Sequence, residues 1–145
     1  MTNRKHSLKR HILKNEERFP CQIFGLICTK SITQFVWNLS EELDIPLCRK
    51  ADIEQTVNDI TDYWPYFKFF DEDTETTYSV VRNKGTQLQL APELRTIDVF
   101  LVETNPSLIF QLTLNKLSKT RFVDFCFEVK GSMISQETEY LLQLE

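Results

Sequence analysis

The sequence predicts an α+β fold, in which an antiparallel sheet of about five to six strands carries two to three helices packed mainly on one face. Two observations predict it. Runs rich in β-branched and aromatic residues arrive in groups separated by turn residues, as in the hairpins of an antiparallel sheet. Residues 121–129 also alternate in polarity, which is typical of a sheet with one wetter face. Amphipathic stretches with helical spacing would cover the other face.

Length and composition fit a single domain over residues 1–145, in which residues 1–14 form a basic arm or a short first strand. Three glycines, five prolines and eleven phenylalanines give the chain a compact globular composition. No apolar run approaches the roughly 18 residues that a membrane helix needs. Because no apolar signal-peptide core follows the basic N-terminus, we expect a cytoplasmic protein that does not contact a membrane.

The first half of the chain predicts a strand, a helix and then an uncertain segment. Residues 21–28 are an apolar run of strand length, and Gly25 within it indicates a close approach by another element. Ser31 followed three residues later by Gln34 predicts a helix N-cap, and apolar residues recur at helical spacing over 31–43. Pro46 stops this helix. Residues 47–62 predict a short strand followed by an irregular polar segment.

The aromatic run at 63–70 and the run at 76–81 predict a hairpin around the acidic turn between them. The sequence Asn83-Lys84-Gly85 predicts a further turn, because glycine can adopt positive φ. Asn105-Pro106 predicts the start of a helix that ends near residue 117.

Residues 121–129 predict the clearest strand, with an apolar face made by Val123, Phe125, Phe127 and Val129. The apolar residues after position 139 predict a short closing helix.

The chain is organised around residues 91–103, where a polar turn leads into an apolar strand. Pro92 cannot donate to a strand ladder, so the strand begins after it, with Ile97 and Val99 on one face. Asp98 has apolar neighbours on both faces, and a buried carboxylate must be hydrogen-bonded or paired. We expect Glu93 to cap a turn or to meet a nearby cation, Arg95, and we expect Asp98 to bond the backbone or a buried arginine. The alternative is an acid/base pair.

This segment resembles the signature of the bacterial IPExxxVDY family. The matching residues of this chain are Ala91-Pro92-Glu93-Leu94-Arg95-Thr96-Ile97-Asp98-Val99. Pro92, Glu93 and Asp98 agree with the signature, and Ile97 replaces valine conservatively. Val99 stands where the family has tyrosine, so a role for that phenol cannot be carried over. The resemblance extends loosely from about residue 21 onward and implies no mechanism, because the family is uncharacterised.

The sequence offers little catalytic chemistry. It contains no glycine-rich phosphate loop, and both histidines lie in the basic arm, far from any candidate nucleophile. The four cysteines occur singly, so we expect free thiols and no metal site. We therefore predict a non-enzymatic protein that needs no cofactor.

Two groups of residues are candidate contacts for partners. Trp37, Trp64 and Tyr66 could contact a partner protein, but packing in the core is the default expectation for each. Residues 1–14 carry five cations and no acid, which leaves a balance of −9 in the remainder. Arg4, Lys5, Lys9, Arg10 and Lys14 could therefore bind an anion, and a solvated tail is the alternative.

Three functions remain open from the sequence. The first is a non-enzymatic protein-interaction module with an unidentified protein partner, which could also be a homodimer. The second is an RNA- or ribosome-associated protein that binds nucleic acid through its basic arm. The third is a small-molecule binding domain centred on Glu93 and Asp98.

Overall fold

A computed structural model of the chain describes residues 21–28, 30–105 and 114–142. These residues form one sheet of six antiparallel strands, together with three α-helices. The strands are β1 (Cys21–Cys28), β2 (Cys48–Val57), β3 (Ile60–Asp71), β4 (Thr76–Arg82), β5 (Val99–Thr104) and β6 (Val123–Glu128). The helices are α1 (Ile32–Leu43), α2 (Leu114–Ser118) and α3 (Gln136–Leu142), and 3-10 turns lie at Pro92–Leu94 and Gly131–Met133.

The strands lie in the order β2-β3-β4-β5-β1-β6, and every neighbouring pair is antiparallel. Strands β2 to β5 follow one another as a meander, while β1 pairs with β5 on one side and with β6 on the other. The predicted α+β class and the antiparallel sheet are confirmed. No helix in the described part of the chain is long and apolar enough to cross a bilayer.

Each face of the sheet carries its own core. The helix-side core contains residues of β1, β4 and β5 together with Phe35 and Leu39 of α1 and Leu117 of α2. The loop-side core is closed by Leu141 of α3 and by the segment 83–98. Two of the three described helices therefore share one face, and a loop does much of the covering on the other.

Helix α1 begins and ends where the sequence predicts. The backbone N–H of Gln34 donates to Oγ of Ser31 at 3.3 Å, which is the expected N-cap. The helix buries an apolar stripe that includes Phe35, Val36 and Leu39. It stops at Asp44, whose φ of 54° is left-handed, two residues before Pro46.

The strand predicted after residue 46 is present as β2 and is longer than expected, whereas the irregular polar segment predicted after it is wrong, because the end of β2 and the start of β3 occupy almost all of it. Asn58 and Asp59 join them with φ values of 51° and 66°, the signs that a two-residue type I′ hairpin turn requires. The pairing shifts register between Lys50 and Ile53, opposite Pro65. A proline has no N–H to donate, so an irregularity in the ladder accommodates it.

The predicted apolar face of β6 is also wrong. Ile27 pairs with Phe125 while the next residue, Cys28, pairs with Val123, so β6 contains one extra residue. Because this bulge reverses the alternation, Val123 packs on the helix-side core and Phe127 on the loop-side core. Phe125 is 58% exposed.

Of the remaining predictions, some are confirmed and others lie outside the described residues. The hairpin of β3 and β4 and the closing helix α3 are confirmed, and β5 begins at Val99 rather than Ile97. The predicted close approach at Gly25 is confirmed, because a Cβ there would stand 2.5 Å from Cδ1 of Ile97. The predicted helix over 105–117 falls largely outside the described residues, which include only its end as α2. The basic arm and its alternative first strand also lie outside them.

Candidate functional site

The signature residues belong to the loop 83–98, which Asn83 holds in shape from within the core. Its Nδ2 donates to the carbonyl oxygens of Leu94 at 3.0 Å and Ile97 at 2.9 Å. Its Oδ1 accepts from the N–H of Ala91 at 2.8 Å. The buried side-chain amide of Asn83 therefore fixes the loop through both its nitrogen and its oxygen. These hydrogen bonds also satisfy the amide, because a buried polar group needs partners.

Asp62 on β3 fixes the first turn of the same loop. Its carboxylate accepts hydrogen bonds from the N–H groups of Thr86, Gln87 and Leu88 at 2.7–2.9 Å, and from that of Tyr63 at 2.8 Å. Burial by itself raises the pKa of Asp62, but these backbone N–H groups outweigh it and hold that pKa well below its usual range. The Asp62 carboxylate is therefore ionised at neutral pH, and its role is structural.

Gly85 lies directly against this carboxylate. None of the described glycines has positive φ, so the expected reason for Gly85 is wrong. The space is what requires glycine, because a Cβ on Gly85 would stand 2.5 Å from Oδ2 of Asp62.

Glu93 connects the 3-10 turn of the loop to the N-terminal end of α3. Its Oε2 accepts from the N–H of Ser135 at 2.7 Å and from Oγ1 of Thr138 at 2.9 Å. Burial raises the pKa of Glu93, but these donors lower it further, so the net direction is downward. Glu93 thus bonds the first turn of α3, and not the nearby Arg95.

Asp98 connects the other end of the loop to β1. Its Oδ2 accepts from the N–H of Cys28 at 3.0 Å, and its Oδ1 lies 3.5 Å from Nζ of Lys84. Burial, with the negative charges of Asp98 and Asp124, raises the pKa of the Cys28 thiol to about 12. This thiol is therefore protonated at neutral pH and is not a nucleophile.

Glu93 and Asp98 bond different parts of the chain and share no hydrogen-bond partner among the described contacts. Each carboxylate accepts a backbone N–H from a segment distant in sequence, which is the arrangement that a structural role requires. The described residues also contain no group of three side chains that could hold a metal ion.

A third acidic residue, Glu103, is fully buried on β5 opposite Tyr78 of β4. Burial, with the charges of Glu103 and Asp71, raises the pKa of Tyr78 to about 12. The phenol therefore stays protonated at neutral pH, and this pair belongs to the interior of the sheet.

The aromatic candidates separate into core and surface residues. Trp64 is 2% exposed and Tyr66 is 7% exposed, and both belong to the loop-side core, which is the default expectation for them. Tyr66 also lines an open groove beside β2. Burial of Trp37 against the sheet was the default expectation, and it is wrong: the side chain is 66% exposed on α1. The apolar stripe of α1 points to the sheet through Phe35, Val36 and Leu39, and Trp37 lies outside that stripe.

Trp37 borders one of two open grooves that meet at Cys48, the first residue of β2. The tryptophan groove has a volume of about 360 Å³ and is lined by α1, the segment before β2, and Phe67 of β3. The lysine groove has a volume of about 560 Å³, and its lining includes Lys50, Lys68 and Phe70.

The two grooves lie on opposite faces of the sheet. Directly paired residues point to the same face, and Lys50 pairs with Tyr66 of the loop-side core. Phe67, which lines the tryptophan groove, belongs to the helix-side core instead. Among the described residues, no strand pairs with the outer side of β2. As far as the described strands go, the edge between the grooves is therefore open and has a groove on each side.

The lysine groove is cationic in a chain whose net charge is −4. Its lining contains two lysines and no acid. Neither Lys50 nor Lys68 forms an ion pair with another described residue. The β4 residues that pair with this part of β3 are uncharged; they are Thr77, Ser79 and Val81. The groove is thus a local excess of positive charge beside aromatic surface.

Sequence reasoning missed three features of these sites. Asp62 entered it only as one acid among several, and Asn83 only as a turn residue. Asn83 and Gly85 after a strand indicate a turn, because both residue types are typical of turns. Nothing local in the sequence identifies Asp62 as the acceptor of its N–H groups. The grooves had no local signal, because they depend on the pairing of β2 with β3.

No protein-family model matches this chain, and no curated protein matches it. The resemblance to the IPExxxVDY family therefore depends on the signature residues alone and stays a prediction.

Proposed function

We propose that this protein is a non-enzymatic protein-interaction module that binds a partner through the surface around Trp37 and the open edge of β2. The observation that carries the proposal is the position of Trp37, a large aromatic side chain 66% exposed at the rim of an apolar groove. Tryptophan is enriched among the residues that dominate binding energy at protein interfaces.

The surroundings of Trp37 support the same reading. Pro46 and Leu47 line the groove beside it and supply apolar surface for a partner side chain, and Glu41 lines the same groove. The carboxylates that sequence analysis singled out bond the backbone instead. An exposed indole beside this apolar lining supports the recognition of a partner at the groove.

The proposal is tested by affinity purification from the native cell, with and without nuclease, using three forms of the full chain as bait. Trp37→Ala removes the exposed indole, and Phe125→Ala is a matched control on the opposite edge strand β6, where Phe125 is 58% exposed. We expect wild type and Phe125→Ala to retain a common set of proteins that Trp37→Ala loses, in a nuclease-insensitive way. Retention of the same proteins by Trp37→Ala, or their complete loss on nuclease treatment, would refute the proposal.

A further inference from the structure

We propose that the partner segment is an extended acidic peptide, alternating apolar and acidic residues, that adds as a further strand to the open edge of β2 at about residues 47–50. This inference rests on the proposed function and specifies its ligand. It follows from the position of the two grooves relative to the strand edge that separates them.

A strand edge offers backbone N–H and C=O groups to an added peptide, whose side chains then alternate between the two faces of the sheet. Cys48 and Lys50 point to the face of the lysine groove, and Arg49 points to the face of the tryptophan groove. Successive side chains of an added strand would therefore reach the two grooves in turn. Neither groove alone would require this alternation.

The chemistry of the grooves assigns the peptide residues. Lys50 and Lys68 face the same groove without an ion pair from a described residue, so carboxylates suit the peptide positions on that side. The other groove offers Trp37, Pro46 and Leu47, with Arg49 lying over the Phe67 ring on the same face, so apolar side chains suit the positions between.

Charge also argues against a second copy of the chain at this edge. Antiparallel pairing of residues 48–50 with themselves would bring Arg49 and Lys50 close to the same cations of the other copy, and like charges across a strand pair are destabilising. Cations on an edge strand are by themselves ordinary protection against aggregation. Here Lys50 also lines an aromatic groove together with Lys68 of β3, which protection of the edge does not require.

The register shift after Lys50 limits the length of the pairing, because a bulge turns the edge away from a regular ladder. Three residues of β2, Cys48–Lys50, and the preceding Leu47 are then available. We therefore expect a weak, transient complex, with a Kd on the order of 10–100 μM.

The test uses fluorescence anisotropy of the full chain with a labelled octapeptide, (Leu-Glu)₄, as the probe. Two control peptides are the block sequence Leu₄Glu₄, which has the same composition without alternation, and (Leu-Lys)₄, which reverses the charge. We expect the alternating acidic peptide to bind at least about tenfold more tightly than either control, a difference of about 1.4 kcal/mol in binding free energy. Equal binding of the block peptide would overturn the inference.

N-methylation of the peptide tests the strand geometry directly. Alternate N–H groups of an added strand point towards β2, and the others point away from it. Methylating one alternate set should abolish binding, while methylating the other set should change the affinity by less than about threefold. Equal effects of the two sets would overturn the strand addition.

Variants of the protein test the two grooves. The double change Lys50→Glu with Lys68→Glu should weaken binding at least about tenfold, whereas Lys119→Glu, an exposed lysine outside the grooves, should change it less than about twofold. Trp37→Ala should weaken binding and Phe125→Ala should not. Circular dichroism checks that each variant is folded.

The outcomes separate this inference from the proposed function. If no peptide binds while a Trp37-dependent partner is still captured from the native cell, the acidic strand ligand is wrong and the interaction module stands. If the peptide binds in the expected pattern but Trp37→Ala captures the same proteins, the ligand class is right and the proposed function is wrong.

Discussion

The carboxylate of Asp62 and the missing side chain of Gly85 fit one another: a Cβ at position 85 would stand 2.5 Å from Oδ2 of Asp62. This approach allows the carboxylate to reach three consecutive N–H groups after Gly85. The pair therefore joins β3 to the start of the loop that closes one face of the sheet.

The first prediction is that Gly85→Ala destabilises the protein by about 1–3 kcal/mol, because the methyl group displaces the Asp62 carboxylate. Gly131→Ala is the matched control, since a Cβ at Gly131 meets nothing within 4 Å. It should change the free energy of unfolding by less than about 0.5 kcal/mol. Urea unfolding measures both. Similar losses for the two variants would contradict the steric explanation.

The second prediction concerns how the contribution of Glu93 to stability depends on pH. Its pKa is lowered in the folded state, so its stabilising contribution is present above the unfolded pKa of about 4.3 and is lost as pH falls through the folded pKa. Glu93→Gln keeps an acceptor oxygen and loses only the charge of a solvent-exposed carboxylate, so it should cost less than about 1 kcal/mol at pH 7, and the difference from wild type should narrow in acid.

Urea unfolding between pH 2.5 and pH 7 measures this difference. Glu72→Gln, in the exposed hairpin turn, is the control and should change stability by less than about 0.5 kcal/mol. A constant effect of Glu93→Gln at every pH would show that the charge of Glu93 does not matter.

The third prediction separates the two roles of Asp98. Asp98→Ala leaves the Cys28 N–H without its acceptor and should cost about 1–3 kcal/mol. Asp98→Asn keeps an acceptor oxygen and loses only the exposed ion pair with Lys84, so it should cost less than about 1 kcal/mol, as should Lys84→Met. Equal losses for Ala and Asn in urea unfolding would contradict the backbone bond as the main role.

The same Asp98→Asn variant tests the small-molecule alternative. A binding domain centred on Glu93 and Asp98 would show a ligand that stabilises wild type and not the variant in thermal-shift screening. We expect no such ligand, because the two carboxylates bond separate segments.

The fourth prediction is an order of thiol reactivity. Cys48 is exposed at the junction of the two grooves, while burial raises the pKa of Cys28 to about 12. Iodoacetamide at pH 7.5 should therefore modify Cys48 at least about tenfold faster than Cys28, because the thiolate is the reactive form. Mass spectrometry of peptide fragments follows the rates, and faster reaction at Cys28 would contradict the described burial.

The fifth prediction tests the RNA-associated alternative for the basic arm. If the cations of residues 1–14 bind phosphates, affinity for RNA should fall roughly 10²–10³-fold between 50 and 200 mM salt. Deleting residues 1–14 should then remove the salt-sensitive binding. Unchanged RNA affinity after this deletion would exclude the arm as the binding site.

Much of the fold was readable because it depends on local patterns. The cap at Ser31, the stop before Pro46 and the alternating runs of β3 and β4 each depend on residues a few positions apart. The wrong predictions concern features that depend on how distant strands pair. The bulge in β6 reverses the faces of Val123 and Phe125 through contacts with β1, which lies almost a hundred residues earlier in the chain.

The candidate site shows the same division. The sequence identified Trp37 as a candidate contact but favoured its burial, because helical periodicity alone does not say how wide the buried stripe is. It identified Glu93 and Asp98 but not their partners, which come from α3 and β1. Asp62, whose role depends on a turn more than twenty residues later, was missed.

By itself, the sequence determined the α+β class, the helix over α1 and the place of the signature turn, because hydrophobic spacing and capping residues act over one or two turns of chain. Only the tertiary structure decided that β2 is an edge strand of the described sheet and lies between an apolar groove and a cationic groove. The physical reason is that strand order, register and the exposure of Trp37 follow from which distant segments pair, and one residue of register moves a side chain to the other face.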